Sequence, residues 1–387
     1  MRQLRPAIDT LSNKANIAGW KDKVLFTPGP LTTSRTVKQA MLRDLGSRDF
    51  DFISTVKDIR ARLAAMTGAP HDFEAVLMQG SGTFSVEAVL SSCVPPDGKV
   101  LAIVNGAYGK RIVQMLRVLK IEHTVVESAE DQYPDLATID HALKHDTRVN
   151  FVAVVHCETT TGIVNPIEQI GALAHAAGAR YFVDAMSSFG AVPIEFNAAR
   201  IDYLVSSANK CIEGVPGFGF VLARREALAV TEGFARSLSL DVFAQWKGLE
   251  RDGQFRVTPP THVLLAFRQA LLELEAEGGV EGRAARYRKN YETLVAGMRA
   301  LGFEEYLPRE RQGYIITSFH YPKHEKFSFE AFYSALNHKG YIIYPGKVSN
   351  ADCFRIGNIG RIFESDVRDL LRAVKETLGE LGIELKS

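Results

Sequence analysis

Two residues draw attention by type and setting. Asp184 ends the apolar run Tyr181-Phe182-Val183 and opens the loop Ala185-Met186-Ser187-Ser188. Lys210 follows the run Ile201–Val205 in Ser206-Ser207-Ala208-Asn209-Lys210, ahead of a turn-rich stretch holding Gly214, Pro216, Gly217 and Gly219. A carboxylate at a strand end is often a cap, and a lone loop lysine is usually a solvated charge. Lys210 is framed by small residues, which suits a pocket. Lost solvation there lowers its pKa and frees the amine as a nucleophile.

Three other loops could complete a site. Gly80-Ser81-Gly82-Thr83 follows the apolar run Ala75–Met78 and opens a helix over Phe84–Leu90. Free N–H groups at a helix start bind phosphate. The glycines match neither the P-loop nor the dinucleotide fingerprint, so alone they also read as an ordinary turn with a Ser/Thr cap. Tyr108, in Asn105-Gly106-Ala107-Tyr108-Gly109, can stack on a flat ring or serve as a core tyrosine. Arg355 is a charge inside the apolar segment Cys353-Phe354-Arg355-Ile356-Gly357-Asn358-Ile359-Gly360. A buried guanidinium needs either a protein carboxylate or an anionic substrate. Lys210 and Asp184 make sense as a unit for pyridoxal phosphate. That cofactor needs an amine for its aldehyde and a carboxylate to keep its pyridine nitrogen protonated.

The elements that must position these residues alternate strand and helix. Ala75–Met78, Val100–Val104, Phe151–Val155, Tyr181–Val183 and Ile201–Val205 are short apolar runs, with helical stretches such as Gly171–Ala177 between most of them. Such runs predict an α/β domain with a parallel sheet covered on both faces. Polar residues gather just after the strands, where open sheets of this kind bind ligands. After about residue 265 the texture changes to helices over Leu265–Glu277, Arg283–Leu301 and Phe363–Leu381, with strands at Tyr314–Phe319 and Tyr341–Tyr344. The expected organisation is an N-terminal extension over 1–23, a large domain over 24–264 and a smaller α+β domain over 265–387. The first segment of the large domain is expected to contact the small one. The Arg-rich face of Arg283–Leu301 reads as solvated.

Composition removes several classes of function. With 46 Lys+Arg against 45 Asp+Glu, the formal net charge of +1 gives no broad basic face for nucleic acid. Cys93, Cys157, Cys211 and Cys353 lie far apart, with no zinc spacing, so no metal is expected and the thiols read as reduced. Cys211 reads as packing rather than as a nucleophile. There is no continuous apolar h-region near Met1 and no run of membrane-span length. A cytoplasmic protein is the expectation.

The chain resembles the fold type I, class V group of pyridoxal-phosphate-dependent aminotransferases from about Val24 to about Leu381. The resemblance rests on Leu25-Phe26-Thr27-Pro28-Gly29-Pro30-Leu31-Thr32-Thr33-Ser34-Arg35, Gln79-Gly80-Ser81-Gly82-Thr83-Phe84 and His156-Cys157-Glu158-Thr159-Thr160-Thr161-Gly162. It continues through Val183-Asp184-Ala185-Met186-Ser187-Ser188, Ala208-Asn209-Lys210-Cys211, Tyr344-Pro345-Gly346-Lys347-Val348-Ser349 and the Arg355 segment. It implies a large α/β domain with a mostly parallel seven-stranded sheet beside a smaller α+β C-terminal domain, with Lys210 carrying pyridoxal 5'-phosphate as a Schiff base and Asp184 partnering the ring nitrogen. Ser81, Gly82 and Thr83 would hold the phosphate with Asn209 nearby. Tyr108 and Met186 would flank the ring, and Thr160 would approach its hydroxyl. Arg355 would grip the substrate's acid group. Thr258 would be lent to a second subunit's phosphate site, so a homodimer with shared sites is implied. The implied reaction moves an amino group from a small aminophosphonate to a keto acid. Alternatives are a related aminotransferase using an alanine or serine donor with glyoxylate or pyruvate, and a lyase of similar fold. The stretch Gly46–Phe52 and Pro259 depart from the family pattern, and the first borders the substrate site.

Overall fold

The computed structural model describes residues 22–385, so the expected N-terminal extension lies almost entirely outside the described residues. A seven-stranded sheet is built from β1 (Phe73–Gln79), β2 (Lys99–Val104), β3 (Glu122–Glu127), β4 (Val149–Val155), β5 (Arg180–Asp184), β6 (Tyr203–Ser207) and β7 (Phe218–Arg224). In space the order is β1-β7-β6-β5-β4-β2-β3. Neighbours pair in parallel except β7, which runs antiparallel to both β1 and β6. Val, Ile, Leu and Phe dominate the inner strands because both faces are covered, and β2 and β6 are buried at every position.

The runs around Val76, Leu101, Val152, Phe182 and Leu204 form strands as their composition predicts. Two strands were not legible as such. β3 lies at the sheet edge and is half exposed, so its Glu122, His123 and Thr124 break any apolar run. β7 lies within the glycine-rich stretch after Lys210. Its Gly219 leaves room for the Ser206 carbonyl and the Ser85 hydroxyl, which a Cβ there would strike.

One large hydrophobic core spans Val37 to Leu274 and takes in the helix Thr261–Ala276. A second contains Leu294–Ile383 residues together with Phe26. Val24–Leu25 pairs in parallel with Tyr341–Ile342, and the Gly357 N–H donates to the Phe26 carbonyl at 3.0 Å. The smaller sheet pairs Ile316–His320 and Tyr344–Pro345 with Cys353–Gly357, both antiparallel. A third small cluster, including Leu31, Cys157, Cys211, Tyr287 and Ile359, joins residues of both regions next to Lys210.

Candidate active site

Strands β1, β2, β4, β5 and β6 point the same way, so the loops after Gln79, Val104, Val155, Asp184 and Ser207 share one edge of the sheet. Asp184 is paired across β5 and β6 with Val205. It is buried, and its Oδ1 accepts from the Met186 N–H at 3.0 Å. Burial pushes its carboxyl up to about 6, against the opposing pull of that N–H, Lys210 and Arg111. Lys210 Nζ donates to the Pro28 carbonyl at 2.7 Å. Burial and the nearby Lys347 pull the amine below the usual lysine range, against Tyr108, Cys211 and Asp184. The Pro28 turn can come this close because Gly29 has φ +105°, and a Cβ there would lie 2.7 Å from the Asn209 carbonyl oxygen and 2.8 Å from Lys210 Cδ.

Ser81 is the N-cap of α1 (Gly82–Cys93), yet its side chain makes no capping bond. The Gly82 and Thr83 N–H groups donate to nothing among the described residues. They are unspent donors at the positive end of a twelve-residue helix. Met186 covers Gly82 so closely that any side chain there would strike its thioether. Asn209 Oδ1 accepts from the Ser207 hydroxyl at 3.2 Å. The Thr83 hydroxyl accepts from Arg111 Nη1 at 3.4 Å.

Tyr108 lies in the first turn of α2 (Ala107–Val118). The Arg111 guanidinium stands 5.0 Å from its ring centroid and Lys347 Nζ stands 5.1 Å away. Burial raises the phenol's pKa, but Lys210, Thr159, Lys347 and Arg355 outweigh it and hold the group below the ordinary tyrosine range. The phenol therefore marks where these side chains converge.

The Thr160 hydroxyl is buried; it donates to Glu158 at 3.1 Å and accepts from the Ala107 N–H at 2.9 Å, which leaves one lone pair to accept from a further donor. Glu158 was given no role from sequence. Its buried carboxylate accepts from the Tyr108 and Gly109 N–H groups at 3.1 and 2.7 Å and so caps α2 from a neighbouring strand end. Burial pushes it up to about 7 despite those bonds. A charged residue three positions after the apolar run Phe151–Val155 was the available signal.

Arg355 is buried, and its hydrogen-bond partners among the described residues are neutral. Nε donates to the Pro345 carbonyl at 2.9 Å and Nη1 to the Thr159 carbonyl at 2.7 Å. Burial holds it below the usual arginine range, with Tyr108 and Tyr344 opposing. Thr258 is exposed, and its carbonyl accepts from the Gln79 side chain.

The Arg-rich face of Arg283–Leu301 was expected to be solvated; Arg283 is instead buried and Arg286 largely covered. In Gly279–Ala300, Arg283 and Arg286 pair with Glu213 and Glu277. Arg286 Nη1 also donates to the Gly360 and Ile362 carbonyls at 2.6 and 3.0 Å, and Arg283 Nη1 to the Cys211 carbonyl. The Tyr287 hydroxyl donates to Glu213 at 2.6 Å. Helical periodicity placed these arginines on a polar face but could not show that two acids and three chain carbonyls cover it. The four cysteines are free and buried, and burial pushes the Cys211 thiol up to about 12, which leaves it inert.

A family model for class V aminotransferases matches residues 32–352, and the chain belongs to that family. It is 51% identical to the 2-aminoethylphosphonate–pyruvate transaminase of Salmonella typhimurium, over 92% of this chain and 98% of that one. Among solved structures, it superposes on the pyridoxamine–pyruvate aminotransferase of Mesorhizobium loti with a TM-score of 0.86, at 24% identity over 94% of each chain. An alanine–glyoxylate aminotransferase of Nostoc sp. gives a TM-score of 0.86 at 24% identity, over 93% of this chain and 96% of that one. The fold is that of the type I pyridoxal-phosphate-dependent aminotransferases.

Proposed function

We propose that this chain transfers the amino group of 2-aminoethylphosphonate to pyruvate, giving phosphonoacetaldehyde and L-alanine, with pyridoxal 5'-phosphate as cofactor. The observation that carries the reading is local. A lysine amine held below its ordinary range and a buried carboxylate end adjacent strands, beside helix-start N–H groups with no partner. The donor set fits the cofactor. Gly82 and Thr83, with Ser81 and Asn209, are placed for a phosphate, Asp184 for a protonated ring nitrogen, and Met186 and Tyr108 for the two ring faces. When bound, the cofactor supplies an electron sink for proton loss at the donor carbon.

The chain's own groups perform the rest. Lys210 anchors the cofactor. Once its amine is free, it would carry the proton from the donor carbon to the cofactor, and in the reverse half from the cofactor to the acceptor carbon. Asp184 stays buried opposite it and offsets positive charge on the ring. Thr160 would approach the ring hydroxyl. Arg355, with two neutral carbonyl partners and no acid, grips the anionic end of donor or acceptor.

The same reading takes the protein as a cytoplasmic homodimer, with Thr258 lent to the partner's phosphate site. In support, Val257 is 58% exposed next to Thr258, and Phe84 is 51% exposed one residue beyond Thr83. An apolar face beside the phosphate loop suits cover by a second copy.

The test mixes holoprotein separately with 2-aminoethylphosphonate, L-alanine and L-serine and follows the absorbance of the bound cofactor. Conversion by the phosphonate and L-alanine, and none in Lys210→Ala, supports the reading. Reaction with L-alanine or L-serine but not the phosphonate replaces the donor with a carboxylate amine.

A further inference from the structure

Arg355 and Lys347 sit on one short hairpin. The Pro345 carbonyl that holds Arg355 Nε lies two residues before Lys347. The loop between them is fixed at both ends. The Gly346 N–H donates to the Cys353 carbonyl at 2.9 Å. The Ser349 N–H donates at 2.8 Å to the buried carboxylate of Glu130, which follows β3 in the larger region. The Lys347 ammonium is thereby carried over Tyr108, 3.5 Å from its hydroxyl and 5.1 Å from its ring centroid. Among the described residues every hydrogen bond from Arg355 and Lys347 goes to a neutral acceptor. Two cations thus face the same phenol with no acid to neutralise either.

The chemistry of the two substrate ends differs. A carboxylate offers one charge and two oxygens in a plane, which a single guanidinium fork satisfies. A phosphonate offers up to two charges and three tetrahedral oxygens. The third oxygen and the second charge need another cation, and an ammonium on a flexible stem adapts to that geometry. An exposed lysine pair contributes little while water screens it, and more once a ligand covers it.

We propose that Lys347 is the second cation of the donor subsite and sets the preference for a phosphonate over a carboxylate. The assignment rests on the aminotransferase reading of this site and deepens it. Arg355 takes two oxygens of either substrate. Lys347 reaches the third oxygen of the phosphonate, and the carboxylate leaves it without a partner.

The experiment uses holoenzyme of wild type, Lys347→Ala and Lys347→Arg. Half-reaction rates are measured with 2-aminoethylphosphonate and L-alanine. Binding of the unreactive analogues ethylphosphonate and propionate is measured by calorimetry. In Lys347→Ala the ratio of kcat/KM for the phosphonate over L-alanine falls about tenfold, and ethylphosphonate binding weakens relative to propionate by a similar factor. Lys347→Arg restores most of both. Equal weakening of phosphonate and carboxylate, or no change in either, overturns the assignment. If wild type aminates its cofactor with L-alanine and not with 2-aminoethylphosphonate, the donor reading falls by itself. The analogue binding then decides Lys347: selective loss of ethylphosphonate supports it, and unchanged selectivity overturns it.

Discussion

Two groups of cations border the Lys210 loop and are treated in opposite ways. Arg283 and Arg286 are buried with two acids, Glu213 and Glu277, which leaves the group formally neutral. Burial by itself lowers both arginines; for Arg286 Glu277 and Glu213 reverse that, as Tyr287, Glu213 and Glu277 do for Arg283, and both end above the ordinary range. Arg355 bonds no acid among the described residues, and at Lys210 the pull of Asp184 does not offset burial. Burial dominates there, and both fall below their ordinary ranges. The first group is closed and holds the chain together. Glu213 accepts from Tyr287, Tyr287 accepts from the Gly360 N–H, and Arg283 holds the Cys211 carbonyl beside Lys210. The second is open, with capacity left for an anion. Burial of a charge is thus no guide to its role until its partners are counted.

The largest expected effect that can break this contrast is on the closed group. Glu213→Ala leaves two buried guanidinium groups short of an acid and should lower stability by about 3–5 kcal/mol. The denaturant midpoint measures it, and a shift no larger than that of an exposed substitution would show the cluster to be dispensable.

A somewhat smaller effect comes from Glu158, whose carboxyl rises from 4.5 to about 7 in the fold. The folded apoprotein keeps a proton there that the unfolded chain releases. The stabilisation is complete below about pH 4.5 and lost as pH rises through about 7, a change of about 3 kcal/mol. Asp184, raised to about 6, acts in the same direction. Denaturation of apoprotein at pH 5 and pH 8 should show the loss, and Glu158→Gln should flatten it. A pH dependence unchanged in that variant would mean that Glu158 is ionised throughout.

The smallest effect sharpens the contrast from the open side. Arg355→Ala should raise KM for either substrate by about tenfold or more. Its loss of stability should be smaller than that of Glu213→Ala, because no charged partner is abandoned. Denaturation beside steady-state kinetics separates the two, and a large stability loss with unchanged KM would reassign Arg355 to the closed class.

Much of this was legible in the chain. The apolar runs around Val76, Leu101, Val152, Phe182 and Leu204 had to be buried on both faces, which fixes a parallel sheet. Loops that follow parallel strands must meet at one edge, so the order of residue types alone brings Asp184, Lys210 and the Gly80–Thr83 turn together. The edge strand Glu122–Glu127 escaped because its exposure removes the apolar signal, and Phe218–Arg224 because glycines there serve close packing rather than a turn. That the Thr160 hydroxyl is bonded to the Ala107 N–H, from a different strand end, was beyond spacing.

The sequence by itself determined the chemistry, because an amine, a carboxylate and a helix start at strand ends follow from the local order of residue types. Only the tertiary structure decided which charges are free. Glu213 reaches Arg286 and Tyr287, Glu158 reaches the start of a helix from another strand, and Lys347 is carried over Tyr108 by a loop tied to Glu130. Each contact joins residues far apart in the chain. No local pattern encodes whether a distant group will neutralise a charge or leave it for a ligand.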